Sequence, residues 1–207
     1  TCDPCRVEAV LYRWATHPNK IIIILYHKLI YRYSNIMKFL SKNISEKDLM
    51  IGLDIYNYFI INSFSNFEEN KLTYKNFLSL YKKNKSKKLP FILAKKNKNV
   101  IGIAFVNNFR EKSGYRFTFE HSIYVNHEYS NLGYGSIILK ELVKLCKKNK
   151  NIKNLIAVIG GSDNIPSIQI HKKNGFRFIG TLKKIGFKKN KWIDSVYMQK
   201  KIWKKLI

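Results

Sequence analysis

The fold is decided by residues 120–176, which read EHSIYVNHEYSNLGYGSIILKELVKLCKKNKNIKNLIAVIGGSDNIPSIQIHKKNGF. Apolar and polar side chains alternate over residues 121–126, and this alternation predicts a strand. Ile123 and Val125 would lie on one face of that strand and Tyr124 on the other. The strand is therefore expected to present two different surfaces to whatever covers the sheet.

The rest of this stretch predicts a glycine loop, a helix, a buried strand and a second helix. The helix up to about residue 149 has apolar side chains at helical spacing, and lysines occupy its other positions. Residues 155–159 form a short continuous apolar run, which is typical of a strand buried on both faces. Residues 165–174 predict the second helix, and Gly175 stands where a left-handed helix stop belongs.

The glycine loop has the composition of a phosphate cradle. The first N–H groups of a helix lack partners within it, and the helix dipole adds partial positive charge there. Gly133 and Gly135 would let a pyrophosphate approach the main chain. An ordinary turn explains the same pair of glycines. The loop is not a P-loop, because no Gly-Lys-Ser/Thr follows, and it lacks the third glycine of a dinucleotide fingerprint.

The flanking segments predict a mixed sheet with helices on both faces, an α/β (α+β) fold. Ser45 is the predicted N-cap of a helix that carries apolar residues from Met50 to Ile60. The other predicted helix covers residues 73–83, followed by a basic loop at 82–88. The predicted strands are 38–44, 91–94, 100–105, 177–181, 193–198 and one long strand at 115–125. A strand of that length is expected to contain a bulge near its middle that separates it from its neighbour.

The composition is strongly basic. The chain has 39 Lys and Arg against 13 Asp and Glu, a net charge of +26 over 207 residues. Such a field attracts polyanions and anionic cofactors. Two explanations stay open, a solvated basic surface and a dedicated nucleic-acid site. The lysines are scattered and seldom interleaved with aromatic residues, so we expect no specific nucleic-acid partner.

The N-terminal segment, residues 1–36, is expected to be separate from the domain at 37–207, and its role is unknown. Its apolar run is too short and too charged to span a membrane. Its basic character would suit organelle targeting, but we favour a simple extension, or upstream sequence ahead of a start at Met37. Cys2 and Cys5 lack the partners of a zinc site, and Cys146 is expected in the core. So few cysteines favour a reducing, cytoplasmic compartment.

Several separated motifs together carry a family resemblance. They are Val125 followed by Gly133-x-Gly135, Asn164-x-x-Ser167-x-x-x-His171-x-x-x-Gly175-Phe176, Tyr115 to Val125, and Ile185 to Gln199. The chain resembles the GCN5-related N-acetyltransferases (GNAT), and within them the phosphinothricin and methionine-sulfoximine acetyltransferases. The resemblance implies the GNAT fold with a mostly antiparallel sheet, acetyl-CoA as acetyl donor and no metal. One departure is Ser130, where the superfamily usually has Gln or Arg.

The resemblance also implies roles for particular residues. Glu120 matches the general base, which removes the proton that makes an amine a nucleophile. His171 matches the acid that protonates the leaving thiolate, although a histidine packed on the cofactor without a proton role is an equal reading. Helix capping by Asn164 is a second reading for that residue. The implied contacts to acetyl-CoA come from Ile123, Tyr124, Val125, Gly133, Tyr134, Gly135, Ser136, Asn164 and Ser167.

The implied acceptor is a small amine that carries a carboxylate. Arg110 and Arg116 match positions that hold such a substrate in relatives, since a guanidinium pairs with a carboxylate in two parallel hydrogen bonds. On a regular strand Arg116, Thr118 and Glu120 would share one face. Two rivals stay open, another amine such as a protein N-terminus, a lysine or an amino sugar, and a basic binding module without catalysis. A homodimer is expected, with Trp192 and Asp194 supporting the site or the interface.

Overall fold

The computed structural model of the protein describes residues 37–203, and its centre is one seven-stranded sheet. The strand order across the sheet is β1-β2-β3-β4-β5-β7-β6. The strands are β1 Met37–Leu40, β2 Phe91–Lys96, β3 Asn99–Asn108, β4 Thr118–Val125, β5 Asn154–Gly160, β6 Arg177–Lys188 and β7 Lys191–Lys201. The first strand is shorter than predicted and the last two are longer. The predicted features of residues 1–36, with Cys2 and Cys5, lie outside the described residues.

Four α-helices lie within the described range, and two of them begin at the predicted capping residues Ser45 and Asn164. The four helices are α1 Glu46–Asn62, α2 Tyr74–Ser86, α3 Tyr134–Lys148 and α4 Ile165–Lys173. The Ser45 hydroxyl accepts a hydrogen bond from the Asp48 N–H at 3.2 Å, as the sequence predicted. The loop predicted at 82–88 is wrong for most of its length, because α2 continues to Ser86 and buries Asn84.

Helices cover both faces of the sheet, as predicted. Side chains of α1 and α2 pack on one face in a core that includes Leu53, Phe77 and Tyr124. Side chains of α3 pack on the other face in a second core that includes Leu142 and the buried thiol of Cys146. Strands β2, β3 and β4 contribute alternate residues to the two cores, whereas the buried apolar residues of β5 and β7 belong to the core under α3. The sheet is therefore buried from both sides in the region where its central strands meet.

The central strands β4 and β5 are the one parallel pair of this sheet, and they separate after three residues. Pairing is limited to Thr118–Asn154, Phe119–Leu155 and Glu120–Ile156, whereas β4 pairs with β3 along its whole length without a register shift. The bulge predicted in β4 is therefore wrong. The predicted separation of β4 from its neighbour is nevertheless present, and it arises because β4 and β5 diverge.

The long strand predicted at 115–125 is also wrong at its beginning. Residues Ser113–Tyr115 form a turn of 3₁₀ helix, and Arg116 follows in the right-handed helical region with φ −54° and ψ −20°. The Phe117 carbonyl then accepts hydrogen bonds from the N–H groups of Lys153 and Asn154 at 2.9 and 3.1 Å. The chain reaches the sheet only at Thr118, so Arg116 is not a strand residue.

Candidate active site

A cavity of about 390 Å³ lies where β4 and β5 separate. Glu120 and Tyr124 line it from the face of the sheet that α1 and α2 cover, together with Tyr56 of α1. His121 and Ile123 line it from the opposite face, which α3 and α4 cover. Because neighbouring residues of a strand point to opposite faces, the cavity is reached by side chains from both sides of the sheet.

Glu120 stands at the last position where β4 pairs with β5, and it is half-buried. Its partners across the sheet are Asn107 on β3 and Ile156 on β5, and Asn107 also lines the cavity. Burial raises the pKa of the Glu120 carboxyl, and the charge of Arg110 partly offsets that rise. A carboxylate with a raised pKa is a better proton acceptor near neutral pH, which is what the predicted base requires.

The two arginines predicted to hold the acceptor lie in different surroundings. Arg110 is exposed, its guanidinium carbon stands 5.1 Å from the ring centroid of Phe109, and its charge acts on Glu120. Arg116 is exposed on the turn before β4 and stacks over Phe117 at 4.6 Å. The shared face predicted for Arg116, Thr118 and Glu120 is wrong, because only the latter two belong to the strand.

The glycine loop leads into α3 as predicted. Gly133 is the N-cap with φ +80°, and no side chain caps this helix end. A Cβ added at Gly133 would meet nothing within 4 Å, whereas one at Gly135 would lie 3.3 Å from Ile170 Cδ1. The start of α3 therefore has open space beside its N-cap and a backbone conformation there that favours glycine.

Other predicted cofactor contacts surround this helix end. Tyr134 Oη accepts a hydrogen bond from Lys96 Nζ at 2.6 Å, and Ser136 Oγ accepts one from Asn174 Nδ2 at 3.1 Å. Val125 packs beside them against the core under α3, whereas Ile123 and Tyr124 line the cavity itself. Ser130, the departure from the superfamily, is exposed just after a 3₁₀ turn at 127–129.

Helix α4 brings Asn164, Ser167 and His171 to the same region. Asn164 is the N-cap, and its Oδ1 accepts a hydrogen bond from the Ser167 N–H at 3.3 Å. The capping role considered for Asn164 is therefore confirmed. Ser167 and His171 line the cavity, whereas Asn164 does not.

His171 has a partner that the sequence analysis did not identify, because it meets His121. Their Nε2 atoms are 2.9 Å apart. His171 Nδ1 lies 2.6 Å from the Ser167 carbonyl oxygen, and His121 Nδ1 lies 3.0 Å from that of Ile156. Both nitrogens of His171 are therefore occupied, and no free ring nitrogen is left to act alone as the predicted acid. The alternation of β4 contained the signal, since it places His121 on the Ile123 face.

The loop between α1 and α2 supplies a second group of residues that sequence reasoning missed. Ser65, Asn66 and Glu68 of this loop line the cavity. Burial raises the pKa of Tyr56, and the charges of Glu68 and Glu120 add to that rise. Nothing in the local sequence indicates where this loop docks, so its place beside Glu120 could not be predicted.

These features fit the donor implied by the resemblance. An uncapped helix end beside a left-handed glycine suits a pyrophosphate, and the opening between β4 and β5 gives room for a thioester next to Glu120. Within residues 37–203 no group of three or more His, Cys, Asp and Glu side chains is placed to hold a metal ion. Over the same residues, no helix is long and apolar enough to cross a bilayer.

A splayed mixed sheet with a glycine-started helix at the opening defines an acetyltransferase of the GCN5-related class. The family described as "Acetyltransferase (GNAT) domain" matches residues 42–197, so the chain belongs to that family. The fold, the enzyme class and the acetyl-CoA donor that the sequence predicted are thereby confirmed.

Within this family, the chain is similar to enzymes named for two kinds of amino-acid-like acceptor. Phosphinothricin N-acetyltransferase of Alcaligenes faecalis is 37% identical over 112 residues, 54% of this chain and 56% of that protein. L-methionine sulfoximine/L-methionine sulfone acetyltransferase of Salmonella typhimurium is 26% identical over 70% of this chain and 84% of that protein. The solved phosphinothricin acetyltransferase of Sinorhizobium meliloti in complex with AcCoA is 30% identical with a TM-score of 0.74, covering 80% of this chain and 88% of that chain. The predicted resemblance to this subfamily is confirmed.

Proposed function

We propose that the protein transfers an acetyl group from acetyl-CoA to the primary amine of a small amino-acid-like acceptor, of the phosphinothricin or methionine sulfoximine type. The observation that carries this proposal is Glu120, a half-buried carboxylate at the point where β4 and β5 part. The names of the related enzymes support the class of acceptor. Acetyl-CoA, when bound, supplies the thioester that the amine attacks.

The residues of this chain supply positioning and proton transfer. Glu120 would accept the proton that an ammonium must lose before it becomes a nucleophile, which contributes about 10²–10⁴-fold in rate. The N–H groups at Gly133 to Ser136 would hold the pyrophosphate, with Ile123, Val125 and Ser167 beside the arm of the cofactor. Holding the amine against the opening would contribute through proximity and orientation.

Arg110 is the cation we assign to the carboxylate of the acceptor. It follows Asn107, the β3 partner of Glu120, by three residues, and its charge lowers the pKa of Glu120; both observations support this assignment. Thr118 begins the same strand as Glu120 and would lie at the edge of the acceptor site. Arg116 is turned onto Phe117, so we assign it no direct contact with the acceptor.

The test is the release of CoA thiol by the purified protein with methionine sulfone, methionine sulfoximine and phosphinothricin as acceptors. Glu120→Gln is expected to lower kcat by about 100-fold or more, because the base is lost. Glu111→Gln, the same change at an exposed position, is the control and should retain activity. Absence of turnover with every amino-acid acceptor, while acetyl-CoA binds, would refute the assignment of the acceptor.

A second candidate is an amine without a carboxylate, such as a protein N-terminus. Among residues 37–203, the side chains that line the cavity include two carboxylates, Glu68 and Glu120, and no lysine or arginine. Such a lining favours a cationic acceptor. Basic peptides therefore belong in the same assay, with glucosamine 6-phosphate as an anionic amine for comparison. Turnover confined to a peptide, with loss in Glu68→Gln, would favour this candidate.

The predicted homodimer has a candidate interface on the hairpin β6–β7. Strand β6 is an edge strand, and the hairpin exposes large apolar side chains at 48–61% of their surface. They are Phe178, Ile179, Leu182, Ile185, Phe187 and Trp192. A second copy of this chain would cover such a surface best, because an edge strand and an apolar face are both self-complementary across a two-fold axis. Sedimentation of the wild type against Ile179→Lys tests this, since a dimer should become a monomer.

The compartment and the basic surface remain proposals as well. A cytoplasmic location is proposed from the small number of cysteines, three in 207 residues. The positive charge is proposed to be solvated, without a specific nucleic-acid partner. Loss of all RNA retention at moderate salt would agree with this, whereas salt-resistant retention of one RNA sequence would contradict it.

A further inference from the structure

His121 and His171 form a buried pair with three polar contacts, and these contacts determine how many hydrogens the four ring nitrogens must carry. The contacts are Ile156 O to His121 Nδ1, Nε2 to Nε2, and His171 Nδ1 to Ser167 O, at 3.0, 2.9 and 2.6 Å. A carbonyl oxygen only accepts, so each Nδ1 must carry a hydrogen. A neutral imidazole has one N–H, so two neutral rings would leave both Nε2 atoms without one.

Two lone pairs facing each other at 2.9 Å would repel, whereas one further proton turns this contact into a hydrogen bond. The pair then holds three protons, one for each of its three contacts, and carries a single positive charge. His121 and His171 are 6% and 2% exposed, so the polar partners of their ring nitrogens are protein atoms. The geometry therefore fits the singly charged pair and not two neutral rings.

Burial acts against this charge, and the balance decides how many protons bind. Burial lowers the pKa of His171 and lowers the pKa of His121 to about 3, and for His121 a charge on His171 adds to the lowering. These effects exclude a doubly charged pair. The first added proton is different, because it converts a repulsive contact between two Nε2 lone pairs into a hydrogen bond. Two groups coupled in this way titrate as a unit.

Within residues 37–203, none of the ionisable groups on the elements packed around the pair is placed to share the added proton, so we assign it to the two rings. Glu120 points to the opposite face of the sheet, and residues 154–160 of β5 contain no ionisable side chain. Cys146 of α3 is buried, and Lys172 and Lys173 of α4 are exposed. From β7, Lys200 Nζ lies 6.0 Å from the ring centroid of Phe176, which packs against both histidines at 5.1 and 5.2 Å.

We propose that His121 and His171 bind one proton jointly between their Nε2 atoms, and that His121 is a positioning residue that keeps this proton at the opening between β4 and β5. Both rings line the cavity on the face opposite Glu120. In the proposed reaction the pair gives this proton to the leaving sulfur and becomes neutral while the thiolate becomes a thiol. A proton from solvent then restores the pair. This use rests on the proposed function, whereas the sharing of the proton does not.

The first test is NMR of protein labelled with ¹⁵N-histidine, recorded without ligands over a range of pH. His121→Gln and His171→Gln spectra assign the signals. The expected result is hydrogen on both Nδ1 atoms and one titration step in which both Nε2 signals move together. Independent titration of the two rings, or a neutral pair with one bare Nδ1 throughout, would overturn the proposal. This result does not depend on the identity of the acceptor.

The second test uses His121→Gln, whose amide can still donate to His171 Nε2 but cannot take up a proton. We expect kcat to fall by about 100-fold, the lower end of general acid–base catalysis, with the KM for acetyl-CoA unchanged within about twofold. His127→Gln makes the same change at an exposed histidine and should retain kcat. Wild-type kcat in a folded His121→Gln protein would reduce the pair to a packing role. A shared proton seen by NMR without turnover on amino acids would refute the acceptor and not the pair.

Discussion

Two opposing effects act on the carboxyl group of Glu120. Burial at the opening of the sheet raises its pKa, and the positive charge of Arg110 lowers it. The carboxylate is the form that accepts a proton, so activity should rise with pH through the pKa of Glu120. The position of that rise in kcat/KM reports the environment of this one side chain in the free enzyme.

Removing Arg110 should therefore move the acidic limb of the kcat/KM profile. In Arg110→Gln the cation that favours the charged carboxylate is gone, so the pKa of Glu120 should rise further and the limb should shift to higher pH. The measurement is the pH dependence of kcat/KM for the acceptor, at saturating acetyl-CoA.

Arg116→Gln is the matched control for this experiment. Arg116 is exposed and stacks on Phe117 away from the cavity, so its removal should leave the limb in place. A limb that moves in Arg116→Gln but not in Arg110→Gln would mean that the turn before β4 lies closer to Glu120 than the structure shows.

At the level of single residues, sequence reasoning identified those that lie within one continuous stretch. Glu120 and the Asn164 cap are found as predicted, because strand alternation and helix capping are local rules. The His121 partner of His171 is 50 positions away in the chain and depends on how α4 lies on the sheet. No local rule contains that distance.

At the level of elements, the loop between α1 and α2 is held against the hairpin β6–β7. Lys188 is buried on the hairpin, and its Nζ donates a hydrogen bond to the Asn66 carbonyl oxygen. A Cβ added at Gly186 would overlap Phe67, and one added at Gly160 would overlap the Phe64 carbonyl. The loop thus lies close to the backbone at Gly160 and at Gly186. The ammonium group of Lys188 holds in place the part of the loop that forms the cavity wall beside Glu68.

Lys188→Met should loosen that wall while keeping much of the packing volume. The Asn66 carbonyl would lose its donor, at a cost of about 1–3 kcal/mol in the free energy of unfolding. The KM for the acceptor should rise about tenfold, equivalent to about 1.4 kcal/mol of binding. The measurements are urea unfolding and separate KM values for the two substrates.

Lys191→Met is the control, because Lys191 pairs with Lys188 across the hairpin and is exposed. It should change neither stability nor KM by a measurable amount. A rise in the KM for acetyl-CoA rather than for the acceptor in Lys188→Met would show that the loop belongs to the donor side of the site.

Element boundaries were predictable where a cap or a glycine marks them, as at Ser45 and Gly175, whose φ is +79°. The end of α2 was not, because the lysine-rich segment after residue 82 contains no glycine or proline, and buried Asn84 keeps it helical. The start of β4 was not, because the point where the chain joins β5 depends on hydrogen bonds that Lys153 and Asn154, far along the chain, donate to the Phe117 carbonyl.

At the level of the whole molecule, the architecture followed from patterns and from the family resemblance together. Patterns gave the helices, the strands and the mixed character of the sheet. The order β1-β2-β3-β4-β5-β7-β6, with β7 inserted between β5 and β6, needs long-range pairing that periodicity does not contain. The separation of β4 from β5 was predicted, but it was attributed to a bulge in β4. The divergence of the two strands, which is the actual cause, has no signal in the sequence of either strand.

That separation has a consequence for the order in which two substrates can arrive. The opening passes through the sheet, with Glu120 on one side and the His121–His171 pair on the other, so two molecules can approach from opposite faces without displacing each other. Both can then be present before any bond changes. Double-reciprocal plots of initial rate at several fixed concentrations of the second substrate should intersect, and parallel lines, the pattern of a substituted enzyme, would contradict this. The two substrates thus reach one reaction site from separate faces of the sheet.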